Sequence, residues 1–207
     1  MRKFLFALPL VSLFSFAQYR YEPAGPPPEE LAPAIREALQ KTGHRIVAPN
    51  GSVFAELWFR AQAPTGPATA EEGVSLTTIP HGSLVGAIRF PGRGADRRGQ
   101  AIKPGVYTLR LAYYPVDGAH QGVAPQRDFL KIIPASEDKD LNATPSYDEL
   151  VAMSNKASGT SHPAILSVWK LDKREPAGLV QHEGDWVLHA TIGDIPIGLI
   201  IVGTFQG

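Results

Sequence analysis

The chain has 207 residues, with 20 basic and 20 acidic side chains and no cysteine. The missing cysteine excludes a disulfide framework, a thiol nucleophile, a thiolate metal centre, covalent haem attachment and a lipidated N-terminal Cys. The balanced charge offers no long-range field for nucleic acid or an anionic membrane, so neither is an expected partner.

The N-terminus carries the pattern of an export leader. Arg2 and Lys3 precede an apolar stretch from Phe4 to Phe14, and Ser15-Phe16-Ala17 places small residues three and one before a cut. Charge, apolar core and small-residue site in that order predict a signal peptide over 1–17, cleaved to leave Gln18 first. The apolar stretch is too short to span a bilayer, so no membrane insertion of the mature chain is expected. Loss of Arg2 and Lys3 leaves a formal charge of −2. The expected location is therefore secreted or periplasmic, and a chain without cysteine suits a bacterial envelope protein.

Residues 18–28 read as an extended, Pro-rich N-terminal arm ending in Pro26-Pro27-Pro28. A helix follows, because Leu31, Ile35, Ala38 and Leu39 form one apolar stripe, with Glu29 and Glu30 near its start. Pro33 fits only in the first turn, and Gly43 sits where a left-handed cap belongs.

From His44 onward the apolar period becomes two. Val53, Ala55, Leu57 and Phe59 oppose Phe54, Glu56, Trp58 and Arg60, while Tyr107, Leu109, Leu111 and Tyr113 oppose Thr108 and Arg110. Such alternation shows one strand face to a core and the other to water. Val74–Ile79, Leu84–Phe90 and Phe129–Ile133 read as further strands. The 20 glycines and 19 prolines exceed a usual combined share of about 12%, and they cluster in turns such as Pro49-Asn50-Gly51 and Lys103-Pro104-Gly105. Ser146 with Glu149 predicts a capped helix that ends at Gly159. Ala164–Leu171, Trp186–Ile192 and Ile195–Val202 complete the strands, with His189 opposite Trp186, Leu188 and Ala190. The pattern predicts an all-β, β-sandwich or jelly-roll-like fold of eight or nine strands, with two short peripheral helices. One domain, residues 29–207, would contain it with the N-terminal helix.

Three places concentrate chemistry. Arg93, Arg97 and Arg98, with Arg89 nearby, flank the Gly-rich stretch 91–99. Guanidinium groups there would grip a phosphate, a sulfate or an acidic partner, or would form a solvated hairpin tip. The long connection 115–128 carries Asp117, His120 and Asp128, and His162 precedes a strand. If strand-end loops converge, His120, Asp128 and His162 would hold zinc or copper with an open position, Gln121 or Gln126 supporting them; otherwise these groups cap turns. No HxH or HExxH spacing accompanies them. A nucleophile elbow GxSxG is also missing, and Ser158–His162 is only a local cluster of hydroxyls and an imidazole. Trp58, Tyr113, Tyr114, Trp169 and Trp186 suit a core better than a sugar platform.

Lys103-Pro104-Gly105-Val106-Tyr107-Thr108-Leu109, the stretches 118–123 and 127–129, Gly159-Thr160-Ser161-His162-Pro163-Ala164 and the tail 185–203 together carry a resemblance. They resemble a family of secreted bacterial β-sandwich proteins to which no activity is assigned. The resemblance, over roughly residues 50 to 205, implies an exported β-sandwich and transfers no chemistry. The function expected from the residues is a secreted, non-catalytic binding or accessory protein with a protein partner in the cell envelope. No cofactor is expected on that reading. The alternative is a metal-binding protein, or metal-dependent enzyme, centred on His120.

Overall fold

A computed structural model describes residues 18–114, 116 and 126–203. The leader, 1–17, lies outside these residues. The elements in chain order are β1 (Arg20–Ala24), α1 (Pro33–Ala38), β2 (Gly43–Val47), β3 (Val53–Phe59), β4 (Leu84–Phe90), β5 (Gly94–Ala95), β6 (Ala101–Ile102), β7 (Gly105–Tyr113), β8 (Asp128–Pro134), α2 (Tyr147–Ser158), β9 (Ile165–Lys170), β10 (Gly178–His182), β11 (Asp185–Ile192) and β12 (Ile195–Val202).

Ten strands form one antiparallel sheet in the order β1-β2-β3-β4-β7-β8-β9-β12-β11-β10, and β5 pairs with β6 alone. The all-β expectation therefore holds, with the strands joined in one continuous sheet where a sandwich would have two. The sheet curls until its edge strands β1 and β10 come together, nearly a barrel. Tyr19, just before β1, packs against Trp186 of β11 with ring centroids 6.0 Å apart. β9 makes the corner: Ile165–Ser167 pair with β8, while Val168–Lys170 pair with β12.

Period-two alternation fills the inside of this curl. Leu57 and Phe59 of β3, Leu109 and Leu111 of β7, Leu188 of β11 and Leu199 of β12 meet in one buried cluster. Fully burying each such side chain contributes roughly 1.5–3 kcal/mol. The outer face is covered in two patches. Leu31, Ile35 and Leu39 lay the α1 segment over Trp58, Leu84 and Ala87, and Leu150 of α2 packs on Phe129, Ile133 and Ile165. The predicted capping box is present in α2. Ser146 accepts from the Glu149 N–H, the Glu149 carboxylate accepts from Ser146, and Gly159 ends the helix at φ 70.

Two local expectations are corrected. Val74–Ile79 forms no strand; it is a loop whose Leu76 and Ile79 plug one end of the barrel. Gly43 does not cap α1, which ends at Ala38; it begins β2, where a Cβ would collide with the indole of Trp58. Pro33 does sit in the first turn of α1. The strands β1, β2, β5, β6 and β10 lie outside the predicted set, because each is five residues or fewer and lacks clean alternation. No helix among the described residues is long and apolar enough to cross a membrane.

Candidate functional site

The arginine loop is anchored in the fold. Asp96, buried between β5 and β6, accepts the backbone N–H groups of Arg98 and Gln100, each at 3.0 Å, and the Arg98 guanidinium at 2.7 Å. Arg98 also donates to Pro163 O at 2.6 Å, Gln100 donates to His162 O at 3.0 Å, and Arg97 pairs with Asp185 at 2.9 Å. The hairpin is thereby stapled to the turn before β9, so two loops that the sequence singled out do meet. They meet through backbone carbonyls and a Thr160–Gln100 side-chain bond, with Arg97 and Arg98 committed to carboxylates, while the exposed Arg93 has no ion pair among the described residues.

The three residues expected at a metal divide differently. His120 lies outside the described residues. Asp128 is fully buried at the head of β8 and accepts from Ser75 N at 2.7 Å, Ser75 Oγ at 3.0 Å and Leu76 N at 3.0 Å. It is the anchor of the plug loop, and Tyr113 adds a bond from its hydroxyl to Ile79 O at 3.0 Å. Of the two expected supporting residues, Gln121 lies outside the described residues and Gln126 donates to Val168 O at 2.7 Å. Ala164 lies opposite Ile132, so His162 falls beyond the other end of β8. At a strand rise of about 3.3 Å per residue, roughly 20 Å of strand separates Asp128 from that end. Asp128 and His162 are thus not brought together.

An open groove of about 1090 Å³ lies below α1, at the lower ends of β4, β7 and β8. Glu30–Pro33 form one wall, Val106 and Tyr107 the floor, and Ala135, Ser136 and Lys139 the opposite wall, with Arg89 and Pro91 at the mouth. Prolines 33, 91, 104 and 134 line it, each with φ already fixed. The arm leads into the Glu30–Pro33 wall without lining the groove itself. Its residues Arg20–Ala24 run antiparallel along β2, Trp58 Nε1 donates to Gly25 O at 2.8 Å, and Pro27 and Pro28 are buried. Arg89 is oriented by the buried Glu56, which also takes Arg45 from the other neighbouring strand.

Two buried bases stand apart. Lys131, on the outer face of β8 under the start of α2, is unexposed, and its Nζ has no hydrogen-bond partner among the described residues. The amine lies 4.1 Å from the Tyr147 ring centroid and 5.5 Å from that of Phe129. Burial pushes its pKa down to about 8; Asp148 opposes that shift, and Arg98 adds to it. His81 stands nearby, its pKa lowered first by burial and then by Lys131. At the opposite side of the barrel, burial lowers His44 to about 4, and among the described residues only its Nδ1 is within reach of a partner, the Tyr21 hydroxyl at 3.3 Å. Sequence alternation had placed Arg110 on the outer face, but nothing in the sequence marked Lys131 or His44 as buried bases.

Among the described residues no three histidines, aspartates or glutamates gather to hold a metal ion. Comparison with protein families, with curated proteins and with solved structures returns no match.

Proposed function

We propose that this chain is exported and acts outside the cytoplasm as a non-catalytic binding or accessory protein, with the groove below α1 as its contact surface for a protein partner in the envelope. One observation carries the reading: the groove is open, preformed and lined by prolines. Walls that are already rigid lose little conformational entropy when a partner docks. The leader pattern at 1–17 supports export, and the resemblance to secreted bacterial proteins points the same way. Glu30, Arg89 and Lys139 in the lining supply polar contacts that would orient an extended segment.

The test is photocrosslinking in an exporting cell, from Ser136 in the groove and from Gln181 on the exposed face of β10. A discrete adduct from Ser136 that is missing at Gln181, and that disappears in Val106→Trp, is the expected result. Identical patterns from both positions would refute the groove as the contact surface. N-terminal sequencing of the protein recovered from the envelope should begin at Gln18; a retained leader would refute cleavage after Ala17, and confinement of the protein to the cytoplasm would refute export.

A further inference from the structure

We propose that a second pocket, at the upper end of the barrel, binds a small organic monocarboxylate on Arg60. The pocket holds about 380 Å³ between residues 62–65, the head of β4 and residues 141–144. Arg60 is the only charged residue among those that line it. It forms no ion pair or side-chain hydrogen bond among the described residues, and its Nε is buried without a partner.

Among the described arginines, Arg60 alone has a buried side-chain nitrogen without a partner. Arg45, Arg89, Arg97, Arg98, Arg110 and Arg127 each reach a carboxylate. Burial lowers the pKa of Arg60, and burial is the only cause of that shift. Buried donors left without acceptors cost free energy, and an anion held by the outer nitrogens of the same guanidinium would offset part of that cost. The walls extend the match. Thr65, Ser83, Asn142 and Thr144 offer hydroxyl and amide donors that are not engaged elsewhere among the described residues, while Pro64, Pro80 and Leu141 give apolar surface for a short carbon chain. Asp140, on the neighbouring turn, is occupied by the Asn142 N–H at 2.9 Å. A planar carboxylate matches the guanidinium fork with two parallel bonds. One guanidinium neutralises one negative charge, so a dianion would leave a charge desolvated in the pocket. This site does not depend on the groove or on its partner.

Titration with propionate, followed by calorimetry and by amide chemical shifts, tests the assignment. Saturable binding is expected, with shifts centred on Gln62, Thr65, Ser83 and Thr144. Propionamide, the neutral isostere, should not bind, and sulfate should bind at least about tenfold more weakly, one unneutralised charge being left in the site. Arg60→Met should abolish binding, and Arg60→Lys should weaken it on the order of tenfold because the fork is lost. Asn142→Asp places a carboxylate at an exposed position of the wall and should also weaken binding, independently of any effect of the Arg60 variants on folding. No saturable binding of propionate, equal binding by Arg60→Met, or preference for sulfate would each overturn the proposal.

Discussion

Arg110 on β7 and Lys131 on β8 are register partners on the same outer face of the sheet, and both are completely buried. Their surroundings differ in kind. Arg110 uses all five of its N–H donors: Nε and Nη2 form a two-point pair with Asp138, each bond 2.7 Å, and the remaining donors reach Gly82 O at 2.7 Å, Ala143 O at 2.5 Å and Asp140 O at 2.6 Å. Thr108 completes the set by donating to Asp138 at 2.6 Å. Among the described residues, Lys131 has aromatic rings and no hydrogen-bond acceptor against its amine. The pair shows that burial by itself decides nothing about a cation. The planar fork of arginine lets the 138–143 turn wrap it with acceptors, whereas the lysine sits beneath a helix whose first turn offers a ring and exposed N–H groups.

The largest effect should come from the satisfied member. Arg110→Met leaves Asp138 buried without its cation and frees three carbonyls, so urea unfolding should show a loss of about 3–5 kcal/mol. A loss below about 1 kcal/mol would mean that the network is not held together by charge. The double variant Arg110→Met with Asp138→Asn should recover part of the loss, because no unpaired charge then remains.

Lys131 should behave in the opposite sense. Its folded pKa, about 8, lies below the ordinary 10.5. The unfolded chain therefore binds more protons between those values, and stability rises with pH across that window. At pH 7 the amine is charged in both states and the penalty is fully present. Lys131→Met should then stabilise the protein at pH 7 by roughly 1–3 kcal/mol, discounted for the attraction of the Tyr147 ring, and the advantage should shrink as pH approaches 10.5. A variant less stable than the parent at pH 7 would show that the cation–ring contacts outweigh desolvation.

The smallest of the three effects belongs to His44, a buried base that avoids charge by staying neutral. Its pKa falls from 6.5 to about 4 in the folded chain, so the unfolded state takes up the proton first as pH drops. Stability should be unaffected above pH 7 and about 2 kcal/mol lower at pH 5 from this group alone. Unfolding curves of the parent and of His44→Leu, compared at both pH values, would isolate it; an equal acid loss in both would remove His44 as the cause.

The sequence determined most of what period two can encode. It marked the inward set of β7 and the outward Thr108 and Arg110, the two faces of β3 and β11, the capping box of α2 and the all-β class. Each of these depends on neighbours along the chain, whose directions the backbone geometry already imposes. Tertiary structure alone decided the rest. Whether an outward residue meets water depends on which loop or helix covers it, so Arg110 and Lys131 looked alike in sequence and became opposites in the fold. The same reason separates the expected site residues: Asp128 was drawn into holding the plug loop, and His162 was set beyond the far end of β8, because antiparallel pairing fixes which strand ends are neighbours. Arg60 carried no signal at all in the chain, since a missing partner is a property of the space around a side chain and not of the residues beside it in sequence.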